Sequence, residues 1–294
     1  MSEAMTNTFS QAPVTPISLR RRITDKVMTG AAVLTVLIVL APLVAIFAYV
    51  VYRGIGAINW AFLTQTPKPV GEAGGGMANA IVGSALILGI ASIVGVPFGI
   101  GAGIYLAEFG RNRFGSAIRF TADVLNGVPS IVIGIVAWSI LVRERGFSAL
   151  AGGLALAIMM VPTISRTTEE MLLLVPQALR EAAYGLGVPR WRTTLSIVLR
   201  TATSGVITGI MLAFARIAGE TAPLLFTALG NSFWNLHYNQ PTAALPLQIY
   251  VYANSPYDDW HRQAWAGSLV LIVLIVSSVA AVRYVVRRGS FGTA

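Results

Sequence analysis

Arg216 and Glu220 are the two ionisable residues of an otherwise apolar stretch, "FARIAGETAPLLFTALGN" (214–231). At i and i+4 they would share one face of a helix. A charge at the centre of a bilayer costs at least ~2.5 kcal/mol, so it is expected to face a cavity or a partner charge. Two readings are open. The pair neutralises itself and holds helices together, or the guanidinium offers its planar fork of donors to an oxyanion. In the second reading Glu220 positions Arg216 and weakens binding enough for release. Thr221, beside Glu220, is grouped with them. Arg166, one turn after Pro162, is a further candidate for an anion path, and equally a cationic anchor at the end of a span. Asn126 and Ser130 flank Pro129. Polar groups there can satisfy a carbonyl freed by the proline, or line a pore.

The residues that other chemistries need are missing. The chain has no Cys and two His, His237 and His261. Thiolate sites and disulfides are excluded, and a protein-only zinc site is not expected. Asp258 and Asp259 stand beside His261, but two carboxylates and one imidazole in a wet loop are weak metal ligands. No nucleophile motif or catalytic triad is visible. The two lysines, Lys26 and Lys68, follow no G-x-x-x-x-G frame, so the chain carries no P-loop. It is read as non-catalytic, with no cofactor or metal of its own.

The elements that must hold these residues are membrane helices. Of 294 residues, 55% are hydrophobic and 11% charged, and mean hydropathy is +0.70. Soluble domains carry about 25% charged residues. The net charge of +9 is scattered between apolar runs, which suits membrane orientation better than nucleic-acid binding. A span needs about 20 apolar residues. Six are expected: Val27–Tyr52, Ala73–Ala107, Val124–Val142, Gly146–Ser165, Thr201–Leu225 and Ala264–Val282. The second is too long for one crossing, so part lies outside the lipid, or the helix tilts or breaks, with Pro97 as the expected kink. The first is read as an uncleaved anchor behind a polar cytoplasmic tail (1–26), of which 1–18 read as disordered.

Fifteen of the 21 Lys and Arg fall on one side of this arrangement and five on the other, with Arg216 inside a span. By the positive-inside rule both termini are cytoplasmic. The expected organisation is a first helix with an external loop (27–76), a permease-like helical domain (77–288) with a cytoplasmic loop at 166–200, and a short tail (289–294). Residues 226–263 form a long external segment, and Trp234, Trp260 and Trp265 sit where an interfacial belt would be. No internal repeat is visible. Spans two to five are rich in Gly, Ala and Ser at spacings of four. Such residues pack helices closely within a bundle, or face a partner or a moving gate.

The loop at 166–200 is the most patterned part of the chain. After Pro176, Gln177–Gly187 reads as a short amphipathic helix with Leu179, Ala182, Ala183 and Leu186 on one side. Gly187 is placed to terminate it. Pro189 and "RWRTTLSIVLR" (190–200) then begin a second helix. The unit is an amphipathic helix at the membrane surface, or a tip that inserts into a partner's groove.

Its spacing resembles the EAA-x3-G-x9-I-x-L-P loop of permease subunits of ATP-binding-cassette importers. Glu181-Ala182-Ala183, Gly187, Ile197 and Leu199 match, and Arg200 stands where that pattern has Pro. Further stretches, "PSIVIG" (129–134), "PTISRTTEEML" (162–172), "VPQALREAAYGLG" (175–187) and "ARIAGETAPLLFTALGNSFW" (215–234), resemble the permeases of phosphate-specific importers. So does 77–108, and the resemblance covers about residues 77–288. It implies an all-α integral membrane fold of the six-helix, MetI-like type I importer class in the cytoplasmic (inner) membrane. It implies a homologous permease, PstC, completing one pore, two copies of the ATPase PstB that bind the ATP and Mg, and an external phosphate-binding protein, PstS. Asp258 and Asp259 would then help to dock that protein. The EAA loop would form the coupling helices that dock the ATPase, with Glu181 at the interface. Arg216, Glu220 and Arg166 would serve the path of inorganic phosphate. Two other cargo readings are kept: a permease for sulfate or molybdate, and a proton-coupled secondary anion transporter using Arg216 and Glu220 as its relay.

Overall fold

The computed structural model describes residues 18–290; the polar stretch 1–17 and the last four residues lie outside the described part. The chain falls into two units that divide between Tyr49 and Val50. Most of the first unit is helix α1 (Leu19–Gly54), which crosses the division. It starts eight residues before the charge-free run and so includes Arg20, Arg21, Arg22 and Lys26. From Leu19 to Tyr49 its side chains are exposed.

The second unit is built on two long helices, α3 (Ala78–Phe109) and α6 (Ala149–Leu173), after a five-residue helix, α2 (Trp60–Thr64). They pack through small residues in register. A Cβ added at Gly95 would lie 3.2 Å from Met160 Cβ, at Gly99 2.6 Å from Ile164 Cβ, and at Gly103 2.5 Å from Thr168 Cβ. Steps of four on α3 thus meet steps of four on α6, which is ridge-into-groove packing with bare backbone as the groove. Gly153 of α6 returns the contact against Ile90. α9 (Leu199–Ala218) closes on α6 in the same way, with Gly205 against Met171 and Gly209 against Thr167. These glycines pack the bundle. Gly89 and Gly101 of α3 have open space beside them. α3 runs without interruption past Pro97.

The third expected span is not one helix. α4 (Arg113–Gly127) and α5 (Ser130–Ala137, continued by a π-helical turn to Val142) meet at 106°. Pro129 forces the residue before it out of the helical region, and Val128 is extended with ψ 131°. α4, with Arg113, Arg119 and Asp123, belongs to the charged end of the bundle. The arm Ser130–Val142 is about 20 Å long at 1.5 Å per residue, shorter than a hydrocarbon core of ~30 Å. Five helices among the described residues are long and apolar enough to cross a membrane, and the bent pair is a sixth when taken as one span.

The other boundaries shift too. α6 extends eight residues past Ser165, so Arg166 is helical. α7 (Gln177–Gly185) and α8 (Arg190–Thr193) precede a π-helical turn that runs straight into α9. α9 ends at Ala218, not at Leu225. α10 (Ala222–Thr227) takes up the end of the expected fifth span, α11 (Leu245–Ala253) lies in the segment expected as loop, and α12 (Asp258–Ser290) is the last long helix. At the end opposite α7, Ser84 Oγ accepts from Leu245 N at 2.7 Å and Asn79 donates to Asn231 O at 2.6 Å. Asp259 and Gln263 there hold Gly74, with Gln263 Nε2 2.9 Å from its carbonyl. His261 lies in the first turn of α12, its Nε2 2.7 Å from Ser255 O, not in a free loop. Trp260 stacks on Tyr252 with ring centroids 4.4 Å apart. Burial raises the pKa of the Tyr252 phenol, and the nearby Asp259 carboxylate adds to the shift.

Candidate functional site

With α6 ending at Leu173 and helix resuming at Arg190, the loop proper is Leu174–Pro189, shorter than the expected 166–200. Pro176 caps α7 and Pro189 caps α8. Between them Gly187 takes φ +75°, Gly187 N donates to Tyr184 O at 2.9 Å, and Val188 N to Ala183 O at 3.1 Å. That 5→2 and 6→1 pair is a Schellman ending, which requires a left-handed residue where glycine sits without strain.

The roll of α7 differs from its apolar pattern. Its buried residues are Arg180 and Ala183, while Leu179, Ala182 and Leu186 face out. The cause is Arg180. Its guanidinium pairs with Glu108, in the last turn of α3, and donates to Leu172 O of α6 at 2.8 Å. An arginine buried with two partners outweighs the burial of one leucine on a short helix. Glu181 is therefore exposed, on the outer face with Ala182. Leu174, Leu186 and Trp191 are 73%, 84% and 64% exposed. Ile197 and Leu199 are half-buried, and Leu199 packs on the cluster of Leu172, Val175, Val198 and Ala202 that roots the loop in the bundle.

A second set of charges lies one layer deeper. Glu169 of α6 is buried, and its Oε1 accepts from Arg119 Nε of α4 at 2.7 Å. Arg119 also donates to Gly110 O at 2.8 Å and Leu106 O at 3.0 Å, the last carbonyls of α3. One guanidinium thus ties three helices. Arg166 lies nearby but is held loosely: 3.4 Å from Glu169, 3.7 Å from Glu170 and 3.9 Å from Asp123. Glu108, Arg119, Glu169 and Arg180 were not singled out from sequence. Charged residues at helix ends look like solvated anchors until the fold buries them.

The stretch around Arg216 also departs from expectation. Helix α9 stops at Ala218 and Gly219 caps it, so Arg216 and Glu220 do not share a helix face. No ion pair joins the two side chains among the described residues. Arg216 is exposed, in the last turn of α9, where the helix dipole favours a cation. Glu220 is half-buried, and Thr221 is the N-cap position of α10. Asn126 does not turn back to the backbone freed at Pro129; its Oδ1 accepts from Thr163 Oγ1 at 3.2 Å. Ser130 is half-buried in the first turn of α5. Thr163, Asn126 and Arg166 thus gather on the α4–α6 face, whereas Arg216, Glu220 and Thr221 sit at the α9–α10 break. No hydrogen bond joins the two groups among the described residues.

Residues 99–290 match the family model for the binding-protein-dependent transport system inner membrane component. The phosphate transport system permease protein PstA of Yersinia pestis is 46% identical over 266 residues, covering 89% of this chain and 90% of that protein. The PstA of Haemophilus influenzae is 45% identical over 87% of this chain and 91% of its own. PstA 1 of Mycobacterium tuberculosis (strain H37Rv) is 36% identical over 97% and 96%. Among solved structures, a chain of the inward-facing MetNI methionine ABC transporter superposes with a TM-score of 0.54 at 17% identity. The match covers 72% of this chain and 94% of that one, and it shows a shared fold.

Proposed function

The chain belongs to the family of binding-protein-dependent transport system inner membrane components, and on that premise we propose that it is the permease subunit of an ATP-driven importer of inorganic phosphate. The likeness to phosphate permeases over nearly the whole chain carries the cargo. It contributes half of a pore completed by a homologous permease, PstC. Two copies of an ATPase, PstB, dock below, and an external binding protein, PstS, delivers phosphate from outside. Both termini face the cytoplasm. ATP and Mg belong to the ATPase subunit.

The exposed face of α7 with Glu181 and Ala182, the turn at Gly187, and Leu186 and Trp191 fit a protrusion that seats in a cleft of the ATPase. Ala183, Ile197 and Leu199 hold its inner side to the bundle. Closing of the ATPases on ATP opens the pore outward, and hydrolysis returns it to the cytoplasm. Arg216 serves as the anion's charge partner, because a guanidinium without a carboxylate keeps its donors for a phosphate oxygen. Glu220 and Thr221 at the same break, Arg166 and Asn126 on the α4–α6 face, and Ser130 at the start of α5 complete the path. Loosely held Arg166 can exchange a carboxylate for phosphate.

The test is uptake of labelled phosphate, sulfate and molybdate by cells depleted of this chain and complemented with it. Phosphate uptake alone is expected to fall and return. Loss of sulfate or molybdate uptake instead would replace the cargo. Deleting Glu181–Gly187 is expected to abolish uptake; a secondary transporter driven through Arg216 and Glu220 would keep it.

A further inference from the structure

Residues 174–198 carry four charged side chains, and three of them, Glu181, Arg190 and Arg192, are exposed. Arg180 alone turns inward. Its partner Glu108 stands in the last turn of α3, where the helix dipole disfavours an acid unless a cation covers it. The same guanidinium holds Leu172 O, among the last carbonyls of α6. One side chain of the docking helix therefore grips the ends of both central helices. A buried ion pair is weak evidence for stability, since apolar side chains of like volume hold helices as well. What the guanidinium adds is a fixed geometry toward two elements at once.

We propose that the Arg180–Glu108 pair is the positioning element that carries movement of α7 to the anion path, an inference that rests on the importer function above. The route is made of close contacts. α3 and α6 interlock at Gly95, Gly99 and Gly103, where an added Cβ would meet α6 side chains at 2.5–3.2 Å. Arg119 ties α4 to both, through Glu169 and through Leu106 O and Gly110 O. α4 continues across the Pro129 bend into α5. Gly134 of α5 meets α10 so closely that a Cβ there would lie 2.8 Å from Pro223 Cα. α10 begins directly after Glu220 and Thr221. A pull on α7 thus reaches the break that holds the unpaired charges, and Arg180 is its first link.

The experiment uses the complete importer in proteoliposomes: this chain, its partner permease, the ATPase and the binding protein. Phosphate uptake and ATP hydrolysis are measured together for the wild type, Glu108→Gln, Arg180→Glu, and the reversed pair Glu108→Arg with Arg180→Glu. Each single variant is expected to move at least ~10-fold less phosphate per ATP, with the ATPase subunit retained at the wild-type ratio. The reversed pair is expected to recover to within about threefold. Glu108→Gln keeps the side-chain volume and lies outside the docking loop, so it remains readable where a charge reversal fails to assemble. An unchanged phosphate-to-ATP ratio in Glu108→Gln overturns the proposal. So does a reversed pair no better than the single variants, or loss of the ATPase subunit from Glu108→Gln. Failure of the cargo reading is separate: a wild-type complex that takes up sulfate or molybdate in place of phosphate changes the anion, and the same ratio is then read with it.

Discussion

At the end of the bundle that carries α7, Arg119 and Arg180 each meet a carboxylate and at least one helix-end carbonyl. At the break between α9 and α10, Arg216 meets neither and stands exposed. Both regions place arginine in an apolar protein, and they use it for opposite ends. A guanidinium engaged by a carboxylate and by backbone carbonyls of other helices fixes the elements around it. One whose donors are open is held by its helix end alone and stays available to an anion. Arg166 lies between these cases, with three carboxylates at 3.4–3.9 Å and none closer.

The difference can be measured as stability. Glu169→Ala leaves Arg119 without its buried partner, and is expected to destabilise the purified protein by about 3–5 kcal/mol. Arg216→Gln is expected to change stability by less than ~0.5 kcal/mol, as for an exposed side chain without partners. Equal losses in the two variants, read as shifts in denaturation midpoint in detergent, would erase the contrast. Gly99→Ala comes next. Its new methyl would lie 2.6 Å from Ile164 Cβ, so α3 and α6 must separate, at about 1–3 kcal/mol. Gly101→Ala, two residues on and on the open side of the helix, is the control and should be near neutral or slightly stabilising. A smaller loss than at Gly99 is expected at the Gly187 turn. Gly187→Ala places a side chain at φ +75° and should cost ~1 kcal/mol, while Gly185→Ala inside α7 should cost nothing.

The docking turn was more legible in the sequence than the charged break. Pro176, Gly187 and Pro189 act through their own backbones, so their local rules carry over into the fold. The six spans were read from apolar runs, and α1, α3, α6, α9 and α12 follow them with shifted ends. The third failed because Val128–Pro129 turns the chain inside an apolar run, and hydropathy does not see direction. The i, i+4 pairing of Arg216 with Glu220 failed because it assumed a helix through Gly219, where α9 ends. The roll of α7 is not visible in its apolar pattern, which groups Leu179, Ala182, Ala183 and Leu186, because the burial of Arg180 sets it. Its partner Glu108 is 72 residues away in the chain, and only the fold brings them together. The glycine steps on α3 were visible, but which ones face α6 required the structure.

The most direct measurement is the initial rate of labelled-phosphate uptake by the reconstituted importer carrying Arg216→Gln, at wild-type assembly and melting temperature. Loss of a charge-assisted contact to the anion should slow uptake roughly 10- to 100-fold, with Arg216→Lys recovering part of it. Uptake within twofold of wild type in Arg216→Gln would contradict the assignment, and with it the view that the unpaired end of the molecule is the end that handles phosphate.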